Sequence, residues 1–162
     1  MASGNEVVRV VATTRVPLLR RPPPHLEQVP LSLFDVWFLP QPPIQRLFLY
    51  DDGADYASLK SSLAHAIAIF FPLAGKLTHL SSTGDVVVDC SPPAVGDGVA
   101  FLEAEADGDA RVLSAAERHD VPAFLRLVPS LESPELPAPL LEVHGRVVGG
   151  GARTSIPSCA GV

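Results

Sequence analysis

Cysteine is scarce in this chain. There are two in 162 residues, Cys90 and Cys159, too few for a disulfide framework. A reducing compartment is the default for such a chain. Neither cysteine sits in a C-x-x-C pair, so a zinc site or an activated thiol has no sequence support. Basic charge is also short: 12 Lys and Arg face 18 Asp and Glu, for a net charge of −6. An acidic chain lacks the electrostatic footprint of a nucleic-acid or anionic-membrane binder. Long apolar runs are missing, since no stretch approaches the roughly 18 residues of a membrane span. The start, Met1 to Glu6, has no basic region followed by an apolar one, so no secretory signal is visible. The cytosol is the expected address. The acidic group Glu103, Glu105, Asp107 and Asp109 lacks the spacing of a calcium loop and reads as a solvated strand end and turn. No metal site is expected.

Hydrophobic residues make up 47% of the chain and charged residues 19%. That balance excludes overall disorder. Proline is abundant, at 17 residues, and clustered at 22–24, 40–43, 92–93 and 134–139. Each cluster marks a break between elements, because proline fixes φ and removes a backbone donor. Apolar periodic segments lie between the clusters, which argues against a proline-rich ligand tract.

The β-branched run Val7 to Val16 predicts a strand, followed by a linker from Pro17 to Pro30. Ser32 is expected to cap a short helical turn with Leu33, Phe34 and Trp37 packed inward. Ile44 to Tyr50 predicts a strand covered on both sides, with Ile44, Arg46, Phe48 and Tyr50 on one face. Tyr56 to Phe71 carries the clearest helical spacing. Leu59, Leu63, Ala66, Ile67 and Phe70 form its stripe, Asp55 caps it with Ser58 at N3, Pro72 stops it and Gly75 turns the chain back. Lys76–Leu80 and Asp85–Cys90 predict a hairpin through the loop at 81–84. A strand follows at Val99–Ala104, then a turn at 107–109 and small helices at 114–117 and 123–126. The strand Leu140–Val148, interrupted at Gly145, turns at Gly149–Gly151, and 152–156 returns from it. There is no internal repeat. The order describes a mixed α/β domain rather than a sandwich or a bundle.

Several stretches, in this order, resemble the plant BAHD acyltransferases, which move an acyl group from a coenzyme A thioester to an alcohol or amine. They are Leu31-Ser32-Leu33-Phe34-Asp35 with Trp37, then Gln45 to Tyr50, then Leu59 to Leu63 running into Phe71-Pro72-Leu73-Ala74-Gly75-Lys76-Leu77. Gly98 to Ala104 and Pro139 to Val143, with the glycine turn at 149–151, complete the series. The branch most similar acylates phenolic glucosides and anthocyanins with malonyl or hydroxycinnamoyl donors. The resemblance implies a chloramphenicol acetyltransferase-like fold, here as a C-terminally truncated half-domain at 1–151 with a divergent tail at 152–162. It also implies a catalytic H-x-x-x-D, whose histidine is the general base for the acceptor hydroxyl and whose aspartate holds the geometry of the site. Counting on from Gly151, that histidine is expected at about residue 160. This chain has Ala160, and its own histidines do not substitute. Four residues after His25, His65, His79, His119 and His144 stand Val29, Ile69, Thr83, Ala123 and Val148. A D-F-G-W-G motif, mainly structural in the family, is absent as well.

No catalytic residue is therefore assigned. His119-Asp120 reads as a surface loop. His65, one turn past Ser61 and Ser62, is an ordinary helix residue, since a serine nucleophile needs a strained, presented position. His144 reads as a packing histidine, and Gly149–Gly151 as a hairpin turn without the helix of a phosphate cradle. The resemblance makes Ile44, Arg46 and Phe48 the vestige of an acceptor pocket. It implies acyl-CoA as the family's co-substrate and a phenolic acceptor, with no cofactor bound by this chain alone and no nucleic-acid or membrane partner. Three readings follow: an N-terminal acyltransferase fragment inactive by itself, an interaction module pairing through exposed sheet edges, or a degenerate gene product exposing apolar patches.

Overall fold

A computed structural model of the chain describes residues 8–48, 55–106, 115, 117, 120–128, 135–148 and 154–161, the last segment by its backbone alone. Among these residues, nine strands make two sheets. They are β1 (Arg9–Val16), β2 (Gln28–Pro30), β3 (Ile44–Leu47), β4 (Lys76–His79), β5 (Val86–Asp89), β6 (Val99–Ala106), β7 (Ala138–Pro139), β8 (Leu141–Val148) and β9 (Thr154–Gly161). The larger sheet runs β1-β6-β8-β9-β3 and the smaller β2-β5-β4-β7. Among the described residues, β6 and β8 pair in parallel and the other strand pairs are antiparallel. Four short or medium helices among the described residues join them: α1 (Leu33–Val36), α2 (Tyr56–Ile69), α3 (Pro92–Val95) and α4 (Val121–Arg126).

The main core lies between α2 and one face of the larger sheet. Ile67 and Ala64 of α2 meet Val16, Val99, Phe101 and Val143, with Leu59, Leu63 and Tyr56 packed around them. The Asp55 carboxylate caps α2 by accepting from Ala57 N at 3.0 Å, and Ser58 Oγ donates to it at 2.6 Å. The stripe differs from the expected one in two positions. Ala66 and Phe70 point outward, Phe70 being 60% exposed, and Ala64 is buried instead. On the opposite face of the sheet, α4 places Leu127 and Phe124 against Ala106, Val148 and Leu47. Asp120 caps α4, accepting from Ala123 N at 3.1 Å.

Other expectations need correction. The linker at 17–30 contains a 3-10 turn at Pro24–Leu26 and the edge strand β2, which proline tolerates because an edge position leaves one side unpaired. Ser32 does cap α1, with a reciprocal Asp35 contact, but Leu33, Phe34 and Trp37 are 78%, 79% and 76% exposed rather than packed. The strand at 44 is not covered on both sides. Gln45 and Leu47 are half-buried, whereas Ile44, Arg46 and Phe48 are exposed. Finally, Gly145 does not interrupt β8. A Cβ there would come within 2.7 Å of the Tyr56 ring, so glycine lets the strand pass beneath α2 unbroken.

Gly75 works in the same way. Its backbone is extended, at φ −79° and ψ −177°, so no turn conformation requires it. A Cβ would sit 2.9 Å from Asp89 O, Cys90 Sγ and Val88 Cγ1 of the neighbouring strand. The hairpin of β4 and β5 forms as expected. The strand expected to return at 152–156 is β9, which continues to Gly161 between β8 and β3. The turns at 107–109 and 149–151, His119, and most of the small helix at 114–117 lie outside the described residues.

Candidate functional site

Strand alternation on β8 divides its side chains between the two faces of the larger sheet. Leu141, Val143 and Gly145 face α2. Glu142, His144, Arg146 and Val148 face the other side, where Val148 joins the cluster under α4. Among the described residues, the buried polar side chains are His144 at 5% exposure and Arg146 at 4%. Both sit on this one strand face, two residues apart.

The His144 imidazole donates from Nε2 to Glu142 Oε2 at 3.5 Å. That hydrogen bond, with some help from the charges of His144 and Arg15, holds the Glu142 carboxyl below the usual range, although partial burial opposes it. Arg146 has no such neighbour. Its Nε and Nη1 are buried without a hydrogen-bond partner, and burial lowers the pKa of the guanidinium.

The backbone register completes the site. Position 160 lies opposite Glu142 on β8 and opposite Gln45 on β3. Position 158 lies opposite His144 and Leu47. Directly opposed residues share a face, so position 160 belongs to the face that carries Glu142, His144 and Gln45. Ile44, Arg46 and Phe48 do share one face of β3, as expected, but it is the opposite face of the sheet, and it is exposed.

The remaining candidates disperse. His65 is exposed on α2, with Nδ1 2.8 Å from Ser61 O, so it closes a local turn and touches neither serine hydroxyl. Asp120 spends its carboxylate on the α4 cap. Cys90 is buried under β4 and β5, and burial pushes its thiol up to about 11, which leaves it a thiol at neutral pH. Among the described residues, no group of three metal-ligating side chains comes together. Tyr56 is half-buried, and its hydroxyl oxygen is buried without a hydrogen-bond partner. Burial, and secondarily the Glu103 carboxylate, push its pKa up to about 12.

Two of the residues that make this site were not singled out in the sequence, Glu142 and Arg146. The pattern Glu142-x-His144-x-Arg146 inside an apolar strand was the available signal. Period two places all three on one face, where polar residues are costly unless they bond to something.

Comparison with known proteins bears on the same fold. A family model described as Transferase family matches residues 20–147. Spermidine hydroxycinnamoyltransferase 1 of Oryza sativa subsp. japonica is 37% identical over 87 residues, covering 48% of this chain and 19% of that protein. The malonyl-coenzyme:anthocyanin 5-O-glucoside-6'''-O-malonyltransferase of Salvia splendens is 29% identical over 135 residues, 75% of this chain and 27% of its own length. Among solved structures, vinorine synthase superposes with a TM-score of 0.67 at 20% identity, covering 96% of this chain and 38% of that one. The matches therefore span well under half of each relative. On the family model, the relatives and this shared fold, the chain belongs to the Transferase family, the plant BAHD acyltransferases.

Proposed function

We propose that the chain is the N-terminal portion of a coenzyme A-dependent acyltransferase that acylates a hydroxyl of a plant phenolic or glycoside, and that these 162 residues by themselves do not catalyse the transfer. The observation that carries the second half is the residue at position 160. It lies on an interior strand of the sheet, opposite Glu142 and Gln45, and it is alanine. A methyl group takes no proton, and general base catalysis is worth about 10²–10⁴-fold. His144 is on the same face, but it is buried against Glu142 rather than presented to a substrate.

Acyl-CoA is the co-substrate this reading implies, with residues beyond these supplying most of its site. The boundary at 151 separates the family-like half-domain from the divergent segment after it. The exposed row Ile44, Arg46 and Phe48 lies on the sheet face opposite position 160, so in this reading it forms the outer rim of the acceptor surface, reached around the edge strand β3. The protein acts in the cytoplasm, consistent with its two cysteines. No helix among the described residues is long and apolar enough to cross a membrane.

The test uses two proteins. The 162-residue chain is assayed with malonyl- and hydroxycinnamoyl-CoA against an anthocyanin glucoside. A fusion to the C-terminal region of the rice relative, carrying Ala160→His and the aspartate four positions on, is assayed beside it. The chain is expected to show no turnover above the uncatalysed rate, and the fusion to recover it. Turnover by the chain alone overturns the inactive reading. A folded fusion that fails to bind acyl-CoA overturns the acyltransferase reading. Phe48→Ala in the active fusion is expected to raise the KM for the acceptor, and an unchanged KM removes that face from the pocket.

A second reading has its own support. Among the described residues, the edge strand β3 pairs on one side only, and the adjacent α1 exposes Leu33, Phe34 and Trp37. Unpaired edges and apolar patches are the surfaces through which an interaction module would pair with an intact relative. Analytical ultracentrifugation with a full-length relative distinguishes it, since a stable hetero-oligomer is expected only here.

A further inference from the structure

We propose that Arg146 and His144 form a binding site for a small oxyanion, of phosphate or carboxylate chemistry. Three observations carry it. First, both side chains are buried, on the same face of the same strand. Their positions along β8 are about 6.6 Å apart, a gap that one oxyanion can bridge by accepting from the guanidinium and, when the imidazole carries both protons, from His144 Nδ1. Second, the Arg146 guanidinium is buried with Nε and Nη1 unpartnered. Buried charges in native proteins are paired or hydrogen-bonded because an isolated one is very costly. The acidic residue on this strand face, Glu142, is engaged by His144 and lies about 13 Å along the strand from Arg146. It does not neutralise the guanidinium. Third, the side chains opposite on the neighbouring strand are small. Ala104 of β6 lies opposite Arg146, with Ala106 beside it opposite Val148.

The geometry orders the groups along β8 as carboxylate, imidazole, open donor pair. Glu142 takes the imidazole on one side. The oxyanion sits on the other, accepting from the guanidinium fork, whose planar donors suit phosphate and carboxylate alike. This site does not depend on acyl transfer, and it requires neither a base at position 160 nor any residue beyond the chain.

The experiment is a thermal melt of the full 162-residue chain in chloride buffer of constant ionic strength. Sodium phosphate is titrated in one arm and sodium acetate in the other, with ³¹P line broadening as a second readout for phosphate. The wild-type midpoint is expected to rise by about 3–5 °C once the anion is tenfold above its dissociation constant. A rise with phosphate only identifies a phosphate group as the ligand, and a rise with acetate only identifies a carboxylate. Arg146→Met is expected to lose the response and to melt above wild type without anion, because the unpaired charge is gone. Arg146→Gln serves if the methionine variant does not fold, and Arg146→Lys is expected to keep a weakened response. No rise with either anion overturns the proposal. So does an equal rise in wild type and the neutral variants, or a neutral variant that melts well below wild type without anion.

Discussion

The core beneath α2 and the segment around α1 are both rich in large apolar side chains, and both begin with a well-formed cap. Their fates are opposite. Phe101 and Ile67 are fully buried. Phe101 meets Tyr56 edge-on at 5.8 Å between ring centroids, and Lys60 Nζ sits 5.0 Å from its ring centroid. Leu33, Phe34 and Trp37 instead stand more than three-quarters exposed. A cap and a few hydrophobes are enough to start a helical turn. They do not supply the surface that covers it. α2 is long enough to lay a stripe across β1, β6 and β8, whereas α1 has four residues and meets no sheet with its aromatic side.

The largest expected effect tests the packed side of this contrast. Phe101→Ala removes the centre of the core and is expected to cost about 3–5 kcal/mol, read by urea unfolding. A cost below about 1 kcal/mol would mean that α2 does not hold the sheet as described.

Tyr56 sharpens the same region. Its hydroxyl is buried without a partner, so Tyr56→Phe is expected to stabilise the chain by about 1 kcal/mol. The sign of its pH dependence follows from the raised pKa. The folded state disfavours phenolate, so the Tyr56 contribution is fully present below pH 10 and is lost as pH rises toward about 12. Wild type should therefore lose more stability across that window than Tyr56→Phe. Equal alkaline losses would place the phenol in water.

The α1 side gives the smaller effects. Ser32→Ala removes the cap of an exposed turn and is expected to cost about 0.5–1 kcal/mol, measured by thermal melting. The double substitution Phe34→Ser and Trp37→Ser is expected to change stability by less than about 0.5 kcal/mol while reducing light scattering of concentrated solutions. A loss above about 2 kcal/mol would break the comparison, since it would show α1 covered within the monomer.

How much of this was legible follows the range of the interactions. Asp55, Ser32 and the loop at 81–84 were readable because caps and hairpins are made by residues two to five positions apart. The strands at 9, 76, 86, 99 and 141 were readable from β-branched and alternating patterns. The strand β2 was not, because its three residues inside a proline-rich stretch carry no period and owe their pairing to β5. The face assignments of Ile44, Arg46 and Phe48 against Gln45 and Leu47 were correct, since alternation is a backbone property. Which face meets a neighbour was not, because α4 supplies the cover and lies far along the chain. The site was half visible: His144 reads from the sequence as a packing residue and is buried in the structure, whereas Arg146 is easily passed over within an apolar run.

The sequence by itself determined the local elements, their order, the family resemblance and the missing histidine at 160, since each depends on residue identity and spacing. Only the tertiary structure decided that position 160 shares a face with Glu142 and His144. It also decided that Gly75 and Gly145 are required by close neighbours rather than by turns, and that Arg146 is buried without a partner. The physical reason is common to all three. Burial and proximity belong to pairs of residues that the chain keeps far apart, and strand pairing and packing between elements bring them together.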